Sequence, residues 1–324
     1  MNDFAKYLLK RVIFAIISIF VIISFDFFLF RLMPGNPIEI LYRNPALSQS
    51  QINALESQFG LNLPLWQQFV LFLKNTLDGN FGISIYYKQA VANVLFPALV
   101  NSLILLIPAT IIAIVLGIVT GRISAYRRGT STDATVTGVS MALYSIPTFW
   151  LGGMLILLAI FTGAFPVSGM YTLGEAFPSI VAKFGNLLSH MVLPLITLTL
   201  VLFGQFTIIM RNSLVDILGE DYILFAKSKG ASDSYIMKRH AMPNAELPMI
   251  SLIAVNLGLT VGGAILTEVV FSWPGVGLLI YDSINARDYP VLQAAFVIIA
   301  VVIVLANLFA DILYSYLDPR IRYK

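Results

Sequence analysis

At 324 residues, 58% hydrophobic and only 11% charged, with a mean hydropathy of +0.85, the chain carries more apolar surface than one soluble core can hide, and is read as a bilayer protein. Its net charge of +3 is small and gives no reason to expect nucleic acid as a partner; in a membrane protein the side on which each charge lies matters more than the sum. Without cysteine, disulfide frameworks and thiolate chemistry are excluded, and His190 and His240 stand alone without the spacing of a metal site around them.

Lys6, Lys10 and Arg11 precede an apolar run over 12–33. That run is longer than the apolar part of a signal peptide and ends in R-L-M-P-G-N-P without a small-residue cleavage site, so it is read as a retained first span. Asp26 lies in its outer part between Phe25 and Phe27, where a carboxylate is costly. Snorkelling to the outer interface or pairing with Arg31 is the favoured resolution, ahead of a substrate-binding role.

The stretch 34–98 is too long and too patterned for a plain loop. Ile52, Leu55 and Phe59 fall at helical spacing after Ser48 and Ser50 and before Gly60. Pro64 starts a second helix in which Leu65, Phe69, Phe72 and Leu73 share a face, and Asp78-Gly79 ends it. A small helical insert on the outer surface is expected.

Five further runs reach the roughly 20 apolar residues that a bilayer core requires: 99–120, 136–161, 191–210, 249–270 and 291–313. Helices are the expected form, because a lone strand in lipid leaves its backbone unpaired. Gly117 and Gly121, like Gly258 and Gly262, have the small-residue spacing that lets helices approach closely, while Pro108, Pro147 and Pro194 mark kinks. With the N-terminus in the cytoplasm, fourteen of the 20 Lys and Arg side chains fall on that side, among them Arg122, Arg127 and Arg128. Both termini are then cytoplasmic. The expected organisation is all-α and polytopic, with six transmembrane helices: a first span over 1–33, an extracytoplasmic helical insert over 34–98, and a five-helix core over 99–324.

Between the fourth and fifth spans lies a charged segment, 211–248. Within it, 221–229 reads as one helix with Tyr222, Phe225 and Ala226 on a face and Gly230 as its left-handed stop. Ser232 caps a second short helix through His240, and Pro243 limits its extension. Lys227, Lys229, Lys238 and Arg239 have two readings: they enforce the positive-inside rule and meet anionic headgroups, or they belong to a docking element for a soluble partner. The chain contains no Gly-Lys pair, which excludes a G-x-x-x-x-G-K-[ST] phosphate loop, and neither a G-x-S-x-G elbow nor an H-E-x-x-H helix is present. It is therefore not read as an enzyme. Glu268, at the end of the fifth span, has two readings, a lining residue at the outer mouth of a pathway or a structural cap. Gly262 and Gly263 are likewise either packing or pathway residues.

The run D-Y-I-L-F-A-K-S-K-G-A-S from Asp221, followed by R-H-A-M-P-N-A-E-L-P from Arg239, resembles the cytoplasmic coupling loop of binding-protein-dependent ABC importer permeases of the dipeptide and oligopeptide subfamily. Further landmarks carry the resemblance in order along the chain: R-L-M-P-G-N-P at 31–37, F-G-L-N-L-P-L at 59–65, D-G-N-F-G-I-S at 78–84, S-I-P-T-F-W at 145–150, E-V-V-F-S-W-P-G-V-G at 268–277, R-D-Y-P at 287–290 and D-P-R-I at 318–321. In the wider family the loop reads E-A-A, three residues, Gly and a spacer ending in L-P. Ala226, Gly230 and Leu247-Pro248 match that pattern, whereas Leu224 and Phe225 replace its first two letters.

The resemblance implies an ABC importer type I permease fold. It also implies that Asp221, Tyr222, Phe225, Ala226, Lys227, Lys229, Gly230, Ala231 and Ser232 dock on a cytoplasmic ATPase subunit. The implied assembly holds a second, similar permease, two ATPases and an extracytoplasmic substrate-binding protein in the cell membrane. ATP and Mg would bind to the ATPases and no cofactor to this chain. The pathway would lie between the permeases, with Gly262, Gly263 and Glu268 as candidate lining. Peptide is the expected cargo, with nickel chelates and oligosaccharides as alternatives within the family. Six spans alone would equally suit a self-contained secondary transporter or channel.

Overall fold

The computed structural model describes residues 3–32, 50, 62–263 and 265–317, and these are mostly helical, with turns and loops between the helices. The helix expected around Ile52, Leu55 and Phe59, and the landmarks at 34–37 and 318–321, lie outside the described residues. Helix α1 (Asp3–Leu32) is followed by α2 (Leu65–Leu77), α3 (Val91–Tyr126), α4 (Ser131–Ser145), α5 (Thr148–Thr162) and α6 (Ile180–Leu218). Then come α7 (Asp221–Ser228), α8 (Asp233–Ile236), a π-helical turn (Met237–Ala241), α9 (Met242–Gly263), α10 (Ile265–Val270), α11 (Val276–Ala286) and α12 (Tyr289–Leu317).

Among the described residues, four helical segments are long and apolar enough to cross a membrane: Ala5–Leu32, Val91–Tyr126, Ile180–Leu218 and Tyr289–Ile312. A fifth span exists if α4 and α5, bent by 99°, are taken together. The expected span 136–161 is thus broken rather than kinked, because Pro147 begins α5 and Ile146 before it is extended, the conformation a following proline imposes. By contrast Pro108 and Pro194 are accommodated inside continuous helices. The expected run 249–270 falls on α9 and α10 and would be the sixth element of the expected count; it does not stand among the qualifying segments.

Helices α3 and α6 run side by side in the same direction, with 36 and 39 residues. At 1.5 Å per residue each is longer than the roughly 30 Å hydrocarbon layer, so their ends stand clear of it. The expected small-residue contact is present: a Cβ on Gly117 would overlap Phe206, and one on Gly121 would overlap Thr207 and Met210. Thr120 and Thr207 share a hydroxyl contact of 2.9 Å at the same level. A third close approach is not signalled by spacing: a Cβ on Gly204 would overlap the Ser140 carbonyl and crowd Tyr144, so α4 lies directly on α6.

At the opposite end, two buried carboxylates organise the loops. Glu268 of α10, 1% exposed, accepts hydrogen bonds from Ser102 Oγ of α3 (2.6 Å) and from the Gly277 and Leu278 amides at the start of α11 (2.6 and 3.3 Å). The free amides and positive dipole end of α11 offset the cost of burying that charge. Gly275 and Gly277 admit the carboxylate, since a Cβ on either would collide with it. Asp288, directly before α12, accepts from the Ser84 hydroxyl and from the amides of Ile85 (3.3 Å) and Tyr86 (3.1 Å). This joins the G-I-S and R-D-Y-P landmarks across the chain.

Helix α2 starts after Pro64 and ends before Gly79, at φ +70°, as its sequence signals require. Its Phe69 and Phe72 pack on Phe27 of α1, with ring centroids 5.3 and 5.4 Å apart, and Phe69 also reaches Phe20. The insert helix therefore lies against the first span instead of standing off it. Asp26 is corrected in the same region. It is 5% exposed and faces Gln293 of α12, while the Arg31 guanidinium sits 5.5 Å from the Phe27 ring centroid. Asp26 neither snorkels nor pairs with Arg31, because α12 covers it. At the other end Arg11 pairs with Asp311 (2.9 Å), bringing the start of α1 beside the end of α12.

Gly204→Val should lower the stability of the purified permease by about 1–3 kcal/mol, since the Ser140 backbone cannot yield. Gly138→Ala, where nothing lies within 4 Å, should be neutral or slightly stabilising; thermal unfolding in detergent compares the two.

Candidate coupling site

The charged segment is more helical than its sequence suggests. Helix α6 continues through Arg211 as far as Leu218, and only Gly219 and Glu220 separate it from α7. Helix α7 ends as expected: Gly230 has φ +81°, Gly230 N–H bonds Lys227 O (2.9 Å) and Ala231 N–H bonds Ala226 O (3.2 Å). This is the Schellman arrangement, which favours glycine at the left-handed position. Ser232 caps α8 through the Tyr235 amide, also as expected.

Pro243 does not stop the second helix. The chain passes through the π-helical turn Met237–Ala241 into α9, which also contains Pro248. A proline ring in an α-helix clashes with the carbonyl four residues back, and the wider turn relieves this. Side chains donate to carbonyls close to the two prolines: Asn244 Nδ2 to His240 O (2.7 Å), and Ser213 Oγ of α6 to Ala245 O (3.0 Å). The segment is therefore a bracket welded to α6 and α9, and little of it is loop.

The inward face of α7 is formed by residues that the sequence did not single out. Ile223 is fully buried, with Ala226 beside it, whereas Leu224 and Phe225 are 54% and 60% exposed and Tyr222 is also exposed. Ile223 joins Ile236, Met237, Met210 and Leu214 in one apolar cluster that reaches Ala113 and Ala125 of α3. The sequence reading missed Ile223 and Ile236 as anchors. The spacing of Ile223, Ala226 and Gly230 was the available signal, masked by the larger Tyr222 and Phe225. The outward face carries Asp221, Leu224, Phe225 and Ser228, and the Lys229 ammonium lies 4.4 Å from the Phe225 ring centroid. Lys227 reaches only to 4.0 Å from Asp233, a surface pair of little energetic weight.

Next to this bracket, Arg211 of α6 makes a bidentate contact with Asp133 of α4, Nε to Oδ1 and Nη2 to Oδ2, both 2.7 Å. Of the other candidates, Gly262 and Gly263 fall in the last turn of α9, far along the chain from the bracket. Glu268 takes the capping arrangement described above.

Residues 113–323 match the family described as "Binding-protein-dependent transport system inner membrane component", and residues 4–104 match its N-terminal companion family. The dipeptide transport system permease protein DppB of Escherichia coli (strain K12) is 34% identical over 98% of this chain and 99% of that protein. The chain belongs to the binding-protein-dependent transport system inner membrane components. Another relative of this permease is the oligopeptide transport system permease protein AppB of Bacillus subtilis (strain 168), 34% identical over 98% of this chain and all of that protein. A chain of the MetNI methionine ABC transporter in inward-facing conformations has the same fold, with a TM-score of 0.54 at 18% identity, covering 69% of this chain and 96% of that one. Permease subunits of this family are non-catalytic multi-pass membrane proteins; it is membership of a binding-protein-dependent transport family that sets aside the self-contained transporter or channel.

Ile223→Ala should destabilise the permease by about 2–4 kcal/mol through the cavity it leaves. Phe225→Ala, on the exposed face, should change stability by less than about 0.5 kcal/mol; thermal unfolding of the isolated permease separates the two.

Proposed function

We propose that this chain is one of two permease subunits of an ATP-driven importer for peptides, and that α7 is the helix on which a cytoplasmic ATPase subunit docks. The observation that carries this reading is the shape of the bracket. A short helix anchored by Ile223 and Ile236 turns Leu224 and Phe225 outward, on a frame continuous with two long helices. Exposed aliphatic and aromatic side chains on a rigid, cation-flanked element suit a protein partner better than headgroups alone. The peptide cargo is inferred from the relatives named for dipeptide and oligopeptide transport; nickel chelates and oligosaccharides are the competing cargoes.

In this reading both termini and α7 are cytoplasmic, the segment 34–98 is extracytoplasmic, and ATP with Mg binds to the two ATPases. A second permease completes the pathway, and an extracytoplasmic binding protein selects the cargo. Gly262 and Gly263 are the proposed lining positions, at the end of α9 away from the ATPase.

Proteoliposomes holding the complete complex should take up radiolabelled alanyl-alanine only with ATP inside and binding protein outside, and uptake should survive collapse of ion gradients. Uptake driven by a gradient without ATP would contradict the reading. Gly230→Pro should insert normally yet reduce ATP-driven uptake to the level without ATP, since proline cannot adopt φ +81°.

A further inference from the structure

The Asp133 carboxylate is a meeting point for three helices. Besides the two contacts from Arg211 of α6, it accepts from Ser124 Oγ of α3 (2.6 Å), the Gly129 amide in the α3–α4 turn (3.0 Å) and Thr137 Oγ1 of α4 (3.3 Å). The Asp133 side chain is 7% exposed and that of Arg211 21%. A largely buried, bidentate pair with its remaining lone pairs filled has one stable geometry, unlike the loose surface pair between Lys227 and Asp233.

Its position gives that geometry a mechanical meaning. Arg211 is two turns before the end of α6, where α7 is attached, and Met210 and Leu214 beside it contact the same cluster as Ile223. One helix turn farther along, Gly121 lies on Thr207 and Met210, and farther still Gly204 lies on α4 at Ser140. Helix α4 is thus fixed to α6 at two levels, and α3 at three with Gly117, Asp133 supplying the level nearest the bracket. Beyond Ser140, α4 ends at the break before Pro147, so the clamped part stops there.

We propose that Asp133 and Arg211 are positioning residues for energy coupling: their ion pair forces α3 and α4 to follow α6 when α7 is displaced. The proposal rests on the reading of α7 as the ATPase dock. Without the pair, α7 and α6 still move, but α4 slips at its inner end and the displacement dies out before the outer half. Coupling between two sites travels through an element with a fixed geometry, and the loss of that geometry lowers the coupling without removing either site.

The test uses the complete complex in proteoliposomes, with ATP hydrolysis measured with and without the binding protein, a readout independent of which cargo is carried. Asp133→Asn keeps the shape and the hydrogen-bonding oxygen but removes the charge. It should leave basal hydrolysis unchanged and reduce the stimulation by the binding protein roughly fivefold or more. Arg211→Lys keeps the charge but loses the fork and should lie between Asp133→Asn and wild type; it decides alone if Asp133→Asn fails to assemble. Wild-type stimulation in an assembled Asp133→Asn complex overturns the proposal. So does a parallel fall of basal and stimulated hydrolysis, which marks a merely structural role. A wild-type complex that the binding protein does not stimulate overturns the underlying importer reading instead.

Discussion

The half of α6 next to α7, the inner half in the proposed orientation, is held without slack, and the rest of the molecule is arranged around that constraint. Gly117, Gly121 and Gly204 remove the side chains that would separate it from α3 and α4, so backbone meets backbone along about two turns. In lipid, where apolar side chains gain little by leaving their surroundings, such van der Waals contact is what holds helices together. Asp133 and Arg211 add a strong polar contact where these helices emerge. Continuous with this block, the bracket of α7, α8 and the π-helical turn inherits its rigidity through Ile223 and Ile236.

The outer half has a different fastening. Glu268 ties α10 and α11 to Ser102 of α3, and Asp288 ties the start of α12 to the turn at Ser84. Between the two fastened regions lie three prolines. Thr199 reaches Ala109 O, which sets Pro108 and Pro194 within about one turn of each other, and Pro147 falls one turn beyond the contact of Tyr144 with Gly204. The three span roughly 9 Å of depth. Proline is where helices bend, so this layer is the natural place for an inner block to tilt against an outer one. Displacement applied at α7 would then be converted to a change of angle across the membrane.

How much of this was legible in the sequence depended on whether the signal was local. The start of α2 at Pro64, the stop of α7 at Gly230 and the cap at Ser232 are decided by a few adjacent residues, and they were read correctly. The close contact at Gly117 and Gly121 was visible because spacing along one helix reports it. Gly204 was not, because its partner Ser140 lies on another helix. Nor was the Asp133 and Arg211 pair, since the two are 78 positions apart and Arg211 reads locally as the edge of a charged loop. Pro243 misled for a related reason: a proline signals a helix end unless the turn before it widens, and the π-helical turn that does so depends on packing of Met237 and Ala241 in the core. The anchor of α7 was not read because Tyr222 and Phe225 dominate its pattern, whereas the smaller Ile223 is the side chain that enters the cleft and Phe225 is turned outward.

The central claim is that α7 and the inner parts of α3, α4 and α6 move as one body against the outer half. Because the chain has no cysteine, paired spin labels can be placed without background. Labels at Ser131 of α4 and Ser228 of α7 report the inner block, and labels at Ser228 and Leu173 report inner against outer, Leu173 being exposed in the α5–α6 loop whose Gly169 amide bonds Phe271 O beyond α10. When the assembled complex binds ATP without hydrolysing it, the 131–228 distance should stay constant while the 173–228 distance changes by several ångströms. A change in the first distance as large as in the second would contradict the account.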